Sequence, residues 1–565
     1  MLLLPLGAAA AQGRGAVNGR VLEAASQQPI QGAQVRVSGT NTVAVTDQQG
    51  RFQLQSVAAG ARTLQVTAFG HKAGTAQVTV GATPAEVTIR LAQDALGLDE
   101  IVVVGYGEQR RRNVSGSVGS LRTETVQEVS QGSVNGVLQG RLAGVQVTQN
   151  SGAPGSAITV RIRGSSSISA GNQPLYVIDG VALVQGNFNR LNSTFGGSDI
   201  DALSDLNPNE IESIEVLKDA SAAAIYGARA SNGVVLITTK RGTAGRAEIN
   251  FGGYYGSQER WRMPAFLGTE DYITIKNEGI LNRFGIEDYF GYSDDAVENS
   301  VEVERGVNTN WIDEVMRTAP MSNFDASVRG GTERARYYVS GSAFDQTGIV
   351  QGFAYTRLSG RVNLDYVPTD RLTLGTNVSL SRGVVDRQRG DNTIYGPLAN
   401  AVANPPVQPV YNPDGTYYET SYVNPVGLYK ENSFEERSLR ILGNSFATLR
   451  LAEGLNLRGS VGLDQYNLRS RAYESPVIGL YAGSGGAGTA GTAYATKATY
   501  EGTLNFSRLF ADRHDFSGVI GASYEDNTEN YSSVSGQAFP SNAFRYLTSA
   551  ATINAGTDSV SNWGL

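Results

Sequence analysis

The stretch LNPNEIESIEVLKDASAAAIYGARASNGVVLITTKRG, residues 206–242, contains alternating helical and strand-like patterns within a short length. Pro208 and Glu210 suit the first turn of a short helix, where a missing N–H and a negative charge are both tolerated. Asn207 or Asn209 can cap that turn, because an asparagine side chain accepts hydrogen bonds from free backbone amides. The stretch therefore predicts a helical turn at its start.

Further along, the same stretch predicts a strand, a second short helix and a second strand. The run Ile211–Leu217 is strand-like, and Asp219–Ser221 then begins the second helix. Gly227 predicts the end of that helix, because glycine readily adopts the left-handed conformation at a C-terminus. Asn232-Gly233 predicts a turn into the apolar strand Val234–Thr239. This order indicates a compact α+β segment.

Two motifs upstream extend the pattern. ITVRIRG at residues 158–164 is a strand ending at glycine, and PLYVIDGV at residues 174–181 is a strand entering an Asp-Gly turn. Taken in order, these motifs resemble the plug of the SusC/RagA family of TonB-linked outer-membrane proteins. The resemblance assigns the plug motif to Arg161, Arg163, Gly164, Asp179, Gly180, Lys218, Asp219, Tyr226, Gly227, Asn232 and Gly233.

An extended segment precedes the plug-like region. It reads LDEIVVVGYG, with acidic residues before a β-branched run and glycines after it. Such a segment can add to the edge of a partner's sheet through main-chain hydrogen bonds. It resembles the TonB box of the same family, which implies that TonB contacts Leu98, Asp99, Glu100, Ile101, Val102, Val103 and Val104.

The N-terminal region contains about seven short, β-branched runs separated by turns, which predicts a small β-sandwich. The predicted strands are Val17–Leu22, Gln34–Val37, Val43–Thr46, Arg51–Leu54, Arg62–Ala68, Thr75–Val80 and Glu86–Leu91. The region resembles the carboxypeptidase regulatory-like domain, an accessory module that is not itself catalytic. The matching residues are Pro29, Gly32, Ala33, Val35, Thr46, Asp47, Gly50 and Phe52. A generic immunoglobulin-like adhesion module is the alternative.

From about Ala247 the chain changes to long alternating strands. In Arg357–Tyr366, for example, apolar and polar residues occupy opposite faces, as in transmembrane barrel strands. We expect about nine strands, with short turns at 331–334, 368–370, 452–454 and 511–513. Long links are expected near 258–321, 383–437 and 467–495, and the last residues, TDSVSNWGL, are expected to form a loop. Because plugged transporters have 22 strands, we interpret the chain as carrying the first part of a barrel.

Composition excludes several classes of site. The formal net charge is −7, which gives no reason to expect a nucleic-acid partner. The absence of cysteine removes thiolate chemistry, disulfides and cysteine-ligated metals. Two histidines, His71 and His514, lie in regions predicted to be different domains, so no zinc hydrolase site is indicated. We therefore predict no catalytic residue, no metal site and no cofactor.

The predicted fold is mainly β. We expect a signal-peptide remnant (1–13), a regulatory-like β-sandwich (14–95), the TonB box and linker (96–112), an α+β plug (113–243) and a partial transmembrane antiparallel β-barrel (244–565). The sequence contains no apolar stretch of about 18 residues, so no transmembrane helix is predicted.

The resemblance implies a nutrient importer of the Gram-negative outer membrane, with its N-terminal domain in the periplasm and no enzymatic activity. Implied partners are TonB with ExbB and ExbD, a SusD-like surface lipoprotein, outer-membrane lipid, and an oligosaccharide or peptide substrate. A siderophore or cobalamin receptor, a surface adhesion protein and a non-functional fragment are the alternatives.

Overall fold

In the computed structural model, the described residues are 14–24, 28–38, 40, 42–68, 71–81, 83–91, 101–104, 107–110, 118–122, 132–149, 151–167, 171–184, 203–219, 223–292, 301–389, 395–510, 514–554 and 556–564. The chain forms two compact units, residues 1–104 with 108–115, and residues 105–107 with 116–565. Among the described residues, no helix combines the length and the apolar character that crossing a membrane requires.

The first unit contains the predicted sandwich. Its strands are β1 (Arg14–Glu23), β2 (Gln34–Val37), β3 (Val43–Val45), β4 (Arg51–Ala58), β5 (Gly60–Ala68), β6 (His71–Val80) and β7 (Ala85–Leu91). They form two sheets, in the orders β4-β1-β7 and β3-β2-β5-β6. Apolar side chains from both sheets, including Val21, Leu54 and Leu64, form one buried core. All seven predicted strands are present, and several extend beyond their predicted ends.

Only part of the predicted TonB box lies within the described residues. Ile101–Val104 forms β8, which pairs with β9 (Gly107–Arg110) in a two-stranded sheet. Leu98, Asp99 and Glu100 lie outside the described residues, as does the predicted signal remnant.

The second unit begins with the predicted plug, which we define here as residues 118–240. Its elements are β10 (Val118–Arg122), α1 (Val134–Leu138), β11 (Val145–Gln149), β12 (Ile158–Ile162), β13 (Leu175–Ile178), β14 (Val181–Ala182), a 3-10 turn (Pro208–Glu210), β15 (Ile211–Leu217), a second 3-10 segment (Ala224–Ala230) and β16 (Val234–Thr239). The central sheet has the order β10-β15-β16-β13-β14, and β11 pairs with β12.

The predicted cap of the first turn is confirmed. The Asn207 side chain accepts a hydrogen bond from the Asn209 amide at 3.0 Å. Gly227 interrupts the second helix, as predicted, but a further helical turn that was not predicted follows it. Gly227 has φ 69° and ψ −160°, and the helical segment resumes after it and continues to Ala230. The glycine therefore forms a kink between two turns, a backbone conformation that only glycine adopts without strain.

A large antiparallel sheet follows the plug. Its strands are β17 (Gly245–Gln258), β20 (Ala319–Gly331), β21 (Ala335–Thr347), β22 (Ala354–Thr369), β23 (Leu372–Arg387), β24 (Ser433–Ala452), β25 (Leu455–Glu474), β26 (Ala487–Phe510), β27 (His514–Gln537), β28 (Thr552–Ile553) and β29 (Thr557–Gly564). Each long strand pairs with its neighbours in the sequence, and both β28 and β29 pair with β27. The strands numbered between β17 and β20, β18 (Phe290–Tyr292) and β19 (Val301–Val303), form a separate parallel pair.

The links between strands fall into two classes. Tight turns join β20 to β21, β22 to β23 and β24 to β25, as predicted. The longest links carry helices α2 (Thr269–Phe284), α3 (Trp311–Val315), α4 (Pro397–Ala403) and α5 (Pro425–Glu431). The predicted long link at 467–495 is wrong, because β25 and β26 extend into it and leave 475–486 between them. The last residues are also not a loop, since Thr557–Gly564 pairs with β27.

The number of long strands agrees with the predicted nine, since nine strands of the sheet have 13 or more residues. Their two faces differ in an unusual way. On β22, the side chains of Leu358, Val362 and Leu364 are 61%, 40% and 44% exposed, whereas Arg357 and Arg361 are each 2% exposed. We call the face with the exposed apolar residues the outer face, and the face with the buried polar residues the inner face.

Candidate functional site: the plug–sheet interface

The plug contacts the inner face of the large sheet through buried charged groups. The clearest of these contacts is formed by Arg361 on β22. Its Nε donates to the Glu210 carboxylate at 2.8 Å, and its Nη1 lies 3.5 Å from the Asp179 carboxylate. All three side chains are at most 3% exposed. Removing one partner from such a buried pair leaves an uncompensated charge, which costs about 3–5 kcal/mol.

The Asp-Gly turn places Asp179 at this contact. Asp179 and Gly180 have φ values of 48° and 90°, which form a tight turn between β13 and β14. The Asp179 carboxylate accepts hydrogen bonds from the Thr239 amide at 3.0 Å and the Thr239 hydroxyl at 2.6 Å. The Asp179 carbonyl accepts a hydrogen bond from Asn444 on β24 at 2.9 Å. The turn is therefore held both by the plug and by the sheet.

Glu210 is positioned by the first 3-10 turn, which directs it toward β21 and β22. Besides Arg361, its carboxylate accepts a hydrogen bond from the Ser340 hydroxyl at 2.9 Å. The Glu210 carbonyl also accepts from the Lys240 amide at 2.8 Å, which joins the start of β15 to the end of β16. The helical turn predicted at the start of this stretch thus carries a contact residue.

A second arginine of β22 binds plug carbonyls instead of carboxylates. Arg357 Nη1 lies 3.0 Å from the Gly132 carbonyl, 2.6 Å from that of Ser204 and 3.0 Å from that of Leu206. Because Nη1 carries two protons, at least one of these three bonds is shared. The neighbouring Tyr355 hydroxyl donates to the Ser204 carbonyl at 2.9 Å. This arginine therefore supplies hydrogen-bond donors to three backbone carbonyls of the plug.

A second ionic contact lies on β24 and β25. Arg440 donates two hydrogen bonds to Asp464, at 2.8 and 2.6 Å, and the Asp464 side chain is fully buried. The same carboxylate accepts a hydrogen bond from the plug amide of Val184 at 2.8 Å. An acid on the sheet, already neutralised by an arginine on the sheet, thus binds the backbone of the plug.

Asp205 is the plug's own acid in this region. It accepts a hydrogen bond from Ser438 at 3.1 Å. Burial raises the pKa of Asp205 above its ordinary value, and this effect exceeds the opposing influence of the Arg440 and Arg357 guanidiniums. The desolvation of this carboxylate makes the docked plug sensitive to protonation.

A third ionic contact involves Glu525 on β27. Its carboxylate pairs with Lys497 of β26 at 3.2 Å and with Arg229 of the plug. Lys497 also lies 3.4 Å from the plug carbonyl of Leu183. Apolar contacts between plug and sheet supplement these bonds. Leu442 belongs to the buried core of the plug, and Val184 packs with Tyr466, Leu468, Ala493 and Ala495.

A polar cavity of about 600 Å³ separates part of the plug from the first strands of the sheet. Its lining includes Asn209, Glu212 and Lys240 from the plug and Asp325 and Arg329 from β20. Burial lowers the pKa of Lys240 below its ordinary value. A hydrogen bond from Asn209 to Asp325 at 2.9 Å joins the two sides at this cavity. The cavity therefore leaves space between the plug and the sheet on this side.

The predicted plug-motif residues divide into two groups. Asp179 contacts the large sheet directly. Several others form bonds within the plug, for example Arg163 with Asp219 at 2.5 Å and Lys218 with the Ala143 carbonyl at 2.6 Å. Asn232 donates to the carbonyls of Gly171 and Gln173. Tyr226 is buried, Gly164 and Gly233 have φ values of 101° and 85°, and Arg161 lies exposed on β12.

Sequence comparisons agree with this architecture. The TonB-dependent Receptor Plug Domain profile matches residues 110–234, and the CarboxypepD_reg-like domain profile matches residues 17–103. A TonB-dependent receptor of Formosa agariphila is 33% identical over 513 residues, which is 89% of this chain and 48% of the relative. The TonB-dependent receptor SusC of Bacteroides thetaiotaomicron is 33% identical over 398 residues, covering 70% of this chain and 36% of SusC.

Solved structures show the same relationship. The chain aligns with a structure of the RagAB peptide importer in an open-open state with a TM-score of 0.67 and 26% identity. The alignment covers 82% of this chain and 53% of the matched chain. The chain belongs to the SusC/RagA family of TonB-dependent receptors. It spans about half the length of the curated relatives it matches.

Some contact residues of this SusC/RagA chain were missed by the sequence reasoning. The sequence assigns Glu210 only to the first turn of a short helix. Arg357 and Arg361 were placed correctly on a polar face, but that face was expected to meet a polar lumen instead of the plug. The sequence signal that could have identified this contact is the pair Arg357 and Arg361, which lie four positions apart on one strand of a plugged receptor. Their partners, about 150 residues earlier in the chain, have no local signature.

Proposed function

We propose that the protein is a TonB-dependent importer of oligosaccharides or peptides in the outer membrane, in which the plug is displaced from the sheet during transport. The observation that carries this proposal is the buried ionic interface centred on Arg361, Glu210 and Asp179. Attraction in a buried ion pair is largely offset by the cost of removing its charges from water. Such an interface regains hydration when it opens, so it separates at lower cost than an apolar core of equal area.

The outer face supports the membrane part of the proposal. Exposed apolar residues such as Leu380, Val461 and Ile520 lie on the outer face, while charged residues are buried on the inner face. This is the reverse of a water-soluble protein and matches strands that meet lipid on one side. In this proposal the strands belong to a barrel that has 22 strands when complete. The tight turns face the periplasm and the long links face outward.

In this proposal, TonB would transmit the energy for transport to the protein through β8. An extended segment such as Ile101–Val104 can pair with the edge of a TonB sheet through main-chain hydrogen bonds. TonB, with ExbB and ExbD, would then pull on the chain that leads into the plug, and the sandwich would lie in the periplasm. A SusD-like lipoprotein would capture substrate outside, as the two-component name of the RagAB peptide importer suggests. Substrate must favour one plug state over another for this coupling to work.

A disulfide between plug and sheet tests the proposal. A Cβ atom built at Gly462 on β25 lies 3.6 Å from the Cβ of Val181 on β14, within the range that a disulfide spans. The native chain has no cysteine, so Val181→Cys with Gly462→Cys forms one defined bond. We expect the oxidised variant to lose uptake of fluorescent oligosaccharides or peptides, whichever mixture the wild type imports. Reduction should restore that uptake.

A second disulfide within the sheet is the matched control. Thr503→Cys with Gly521→Cys joins β26 to β27, where the corresponding distance is 3.7 Å. This variant should import at the wild-type rate in both redox states, because it leaves the plug free. Normal import by the oxidised Val181–Gly462 variant would show that the plug does not need to leave the sheet, and would refute the proposal.

A further inference from the structure

Four exposed arginines lie close together on the outer face of β23, β24 and β25. These residues, here called the arginine cluster, are Arg382, Arg437, Arg469 and Arg471. Arg437 and Arg469 are direct partners across β24 and β25. Arg471 follows Arg469 by two residues and so lies on the same face. Arg382 pairs with Leu439, two residues from Arg437.

The cluster has an excess of positive charge. Asp386 and Glu435 share this part of the face, and Glu435 pairs with Arg437 at 2.8 Å. The Arg471 guanidinium lies over the Tyr546 ring, 4.7 Å from its centroid. In the part of the chain that the structure describes, neither Arg382 nor Arg469 has an ion-pair partner. Like charges directly opposite each other destabilise a sheet, so Arg437 and Arg469 would be stabilised by an added anion.

The position of the cluster indicates the kind of anion. On β23, exposed Leu380, Val378 and Leu374 continue the same face away from Arg382 toward the tight turn. Arg382 lies ten positions after Leu372, which is about 34 Å along a strand. With a strand tilt of about 35–45°, this length corresponds to an apolar band about 25 Å tall. The arginines therefore border the apolar band at the end nearest the long links.

We propose that the arginine cluster binds the phosphate groups of a lipid headgroup in the outer leaflet, with the acyl chains of that lipid lying against the apolar band. This inference rests on the proposed membrane location of the sheet. Guanidinium groups bind phosphate through paired, charge-assisted hydrogen bonds, and four of them suit a headgroup with more than one phosphate. Free phosphate lacks the apolar part, so it would gain nothing from the adjacent band.

Native mass spectrometry of the full protein extracted in mild detergent tests the site. The probes are lipid A with two phosphates, the same lipid without phosphate, and inorganic phosphate. We expect the wild type to retain diphosphorylated lipid A, with at least tenfold less retained by the double variant Arg382→Gln with Arg469→Gln. Replacing both residues with lysine should keep most of the retention, because the positive charges remain.

The matched control is Arg334→Gln with Arg371→Gln, which removes two exposed arginines in tight turns at the opposite ends of the strands. This control should retain lipid A like the wild type. Equal retention by the Arg382/Arg469 glutamine variant, or displacement of the lipid by millimolar inorganic phosphate, would overturn the proposal. Membrane fractionation of the wild type is scored separately, so a protein absent from the outer membrane refutes the proposed function independently of the lipid result.

Discussion

The sandwich and the large sheet are both built from alternating strands, yet they bury opposite kinds of residue. In the sandwich, Leu54 and Leu64 are at most 1% exposed, and polar residues occupy the other faces. In the large sheet, Arg361 and Asp464 are at most 2% exposed, and leucines face outward. A period of two therefore separates two kinds of side chain without specifying which kind meets water. The surroundings of the sheet, plug on one side and proposed lipid on the other, decide that choice.

The largest expected effects are losses of stability from substitutions at buried side chains, in the contact between the large sheet and the plug and in the core of the sandwich. Arg361→Ala removes the guanidinium that pairs with both Glu210 and Asp179 and should cost about 3–5 kcal/mol of plug stability. Adding Glu210→Gln should recover part of that loss, because it removes one uncompensated charge. Leu54→Ala in the sandwich should cost about 2–5 kcal/mol by leaving a cavity. Hydrogen-exchange mass spectrometry of the full protein measures both regions at once.

In the Arg361→Ala experiment, lost protection should be confined to the plug and the strands that contact it. The sandwich should exchange as in the wild type. An unchanged exchange rate at Ile211–Leu217 in Arg361→Ala would show that the ionic contact does not hold the plug. No recovery in the Glu210→Gln double variant would show instead that Arg361 acts through packing.

A smaller difference is expected at the exposed faces. Val362 lies in the middle of β22 on the outer face, where Arg substitution should cost about 2–4 kcal/mol if the face meets the centre of a bilayer. Gln53→Arg on the exposed face of sandwich strand β4 should change stability by less than about 0.5 kcal/mol. Urea unfolding in lipid vesicles measures both variants. Equal stability of the Val362→Arg variant and the wild type would place the outer face in water.

The smallest expected effect is a pH dependence in the plug. Burial raises the pKa of Asp205, so the folded plug holds this proton more tightly than the unfolded chain does. The resulting stability is fully present below the ordinary pKa and is lost as the pH rises through the raised pKa. The Asp205→Asn side chain does not ionise, so the variant does not lose this stability as the pH rises. Its amide oxygen still accepts a hydrogen bond from Ser438. The plug of the variant should therefore gain protection over the wild type as the pH rises from about 4 to about 7.

The intrinsic rate of amide exchange changes with pH. The variant and the wild type are therefore compared with each other at the same pH, where this rate is equal for both. The sandwich provides an internal reference, because Asp205→Asn should leave its exchange unchanged. If the variant and the wild type show the same difference at every pH, the Asp205 carboxyl is not the group that titrates.

Local patterns predicted much of the fold. Strands such as Gln34–Val37, Ile211–Leu217 and Val234–Thr239 have their predicted bounds, because β-branched runs between turn residues define both their conformation and their ends. The failures have physical causes too. A further helical turn follows the interruption at Gly227, and Thr557–Gly564 becomes a strand because β27 supplies a pairing edge. Local sequence does not contain either distinction.

The candidate site was less predictable than the fold. Asp179 could be found from its Asp-Gly turn, and Arg361 from its polar face. The hydrogen bond that Arg361 donates to Glu210 spans 151 residues and depends on where the plug docks. Neither residue type nor spacing identifies such a pair, because each member suits a simpler local role.

The neighbour-by-neighbour order of the large sheet has a consequence for assembly. A hydrogen bond between adjacent strands, such as that of Ser342 with Ser359, closes a loop of 17 residues, whereas the bond between Val184 and Asp464 closes one of 280. Each doubling of loop length adds about 0.6 kcal/mol of closure entropy. The tight hairpins of the sheet therefore close at a lower entropy cost than the contacts between the sheet and the plug. Docking of the plug then requires several strands to be in place, since its ionic partners are spread from β22 to β27.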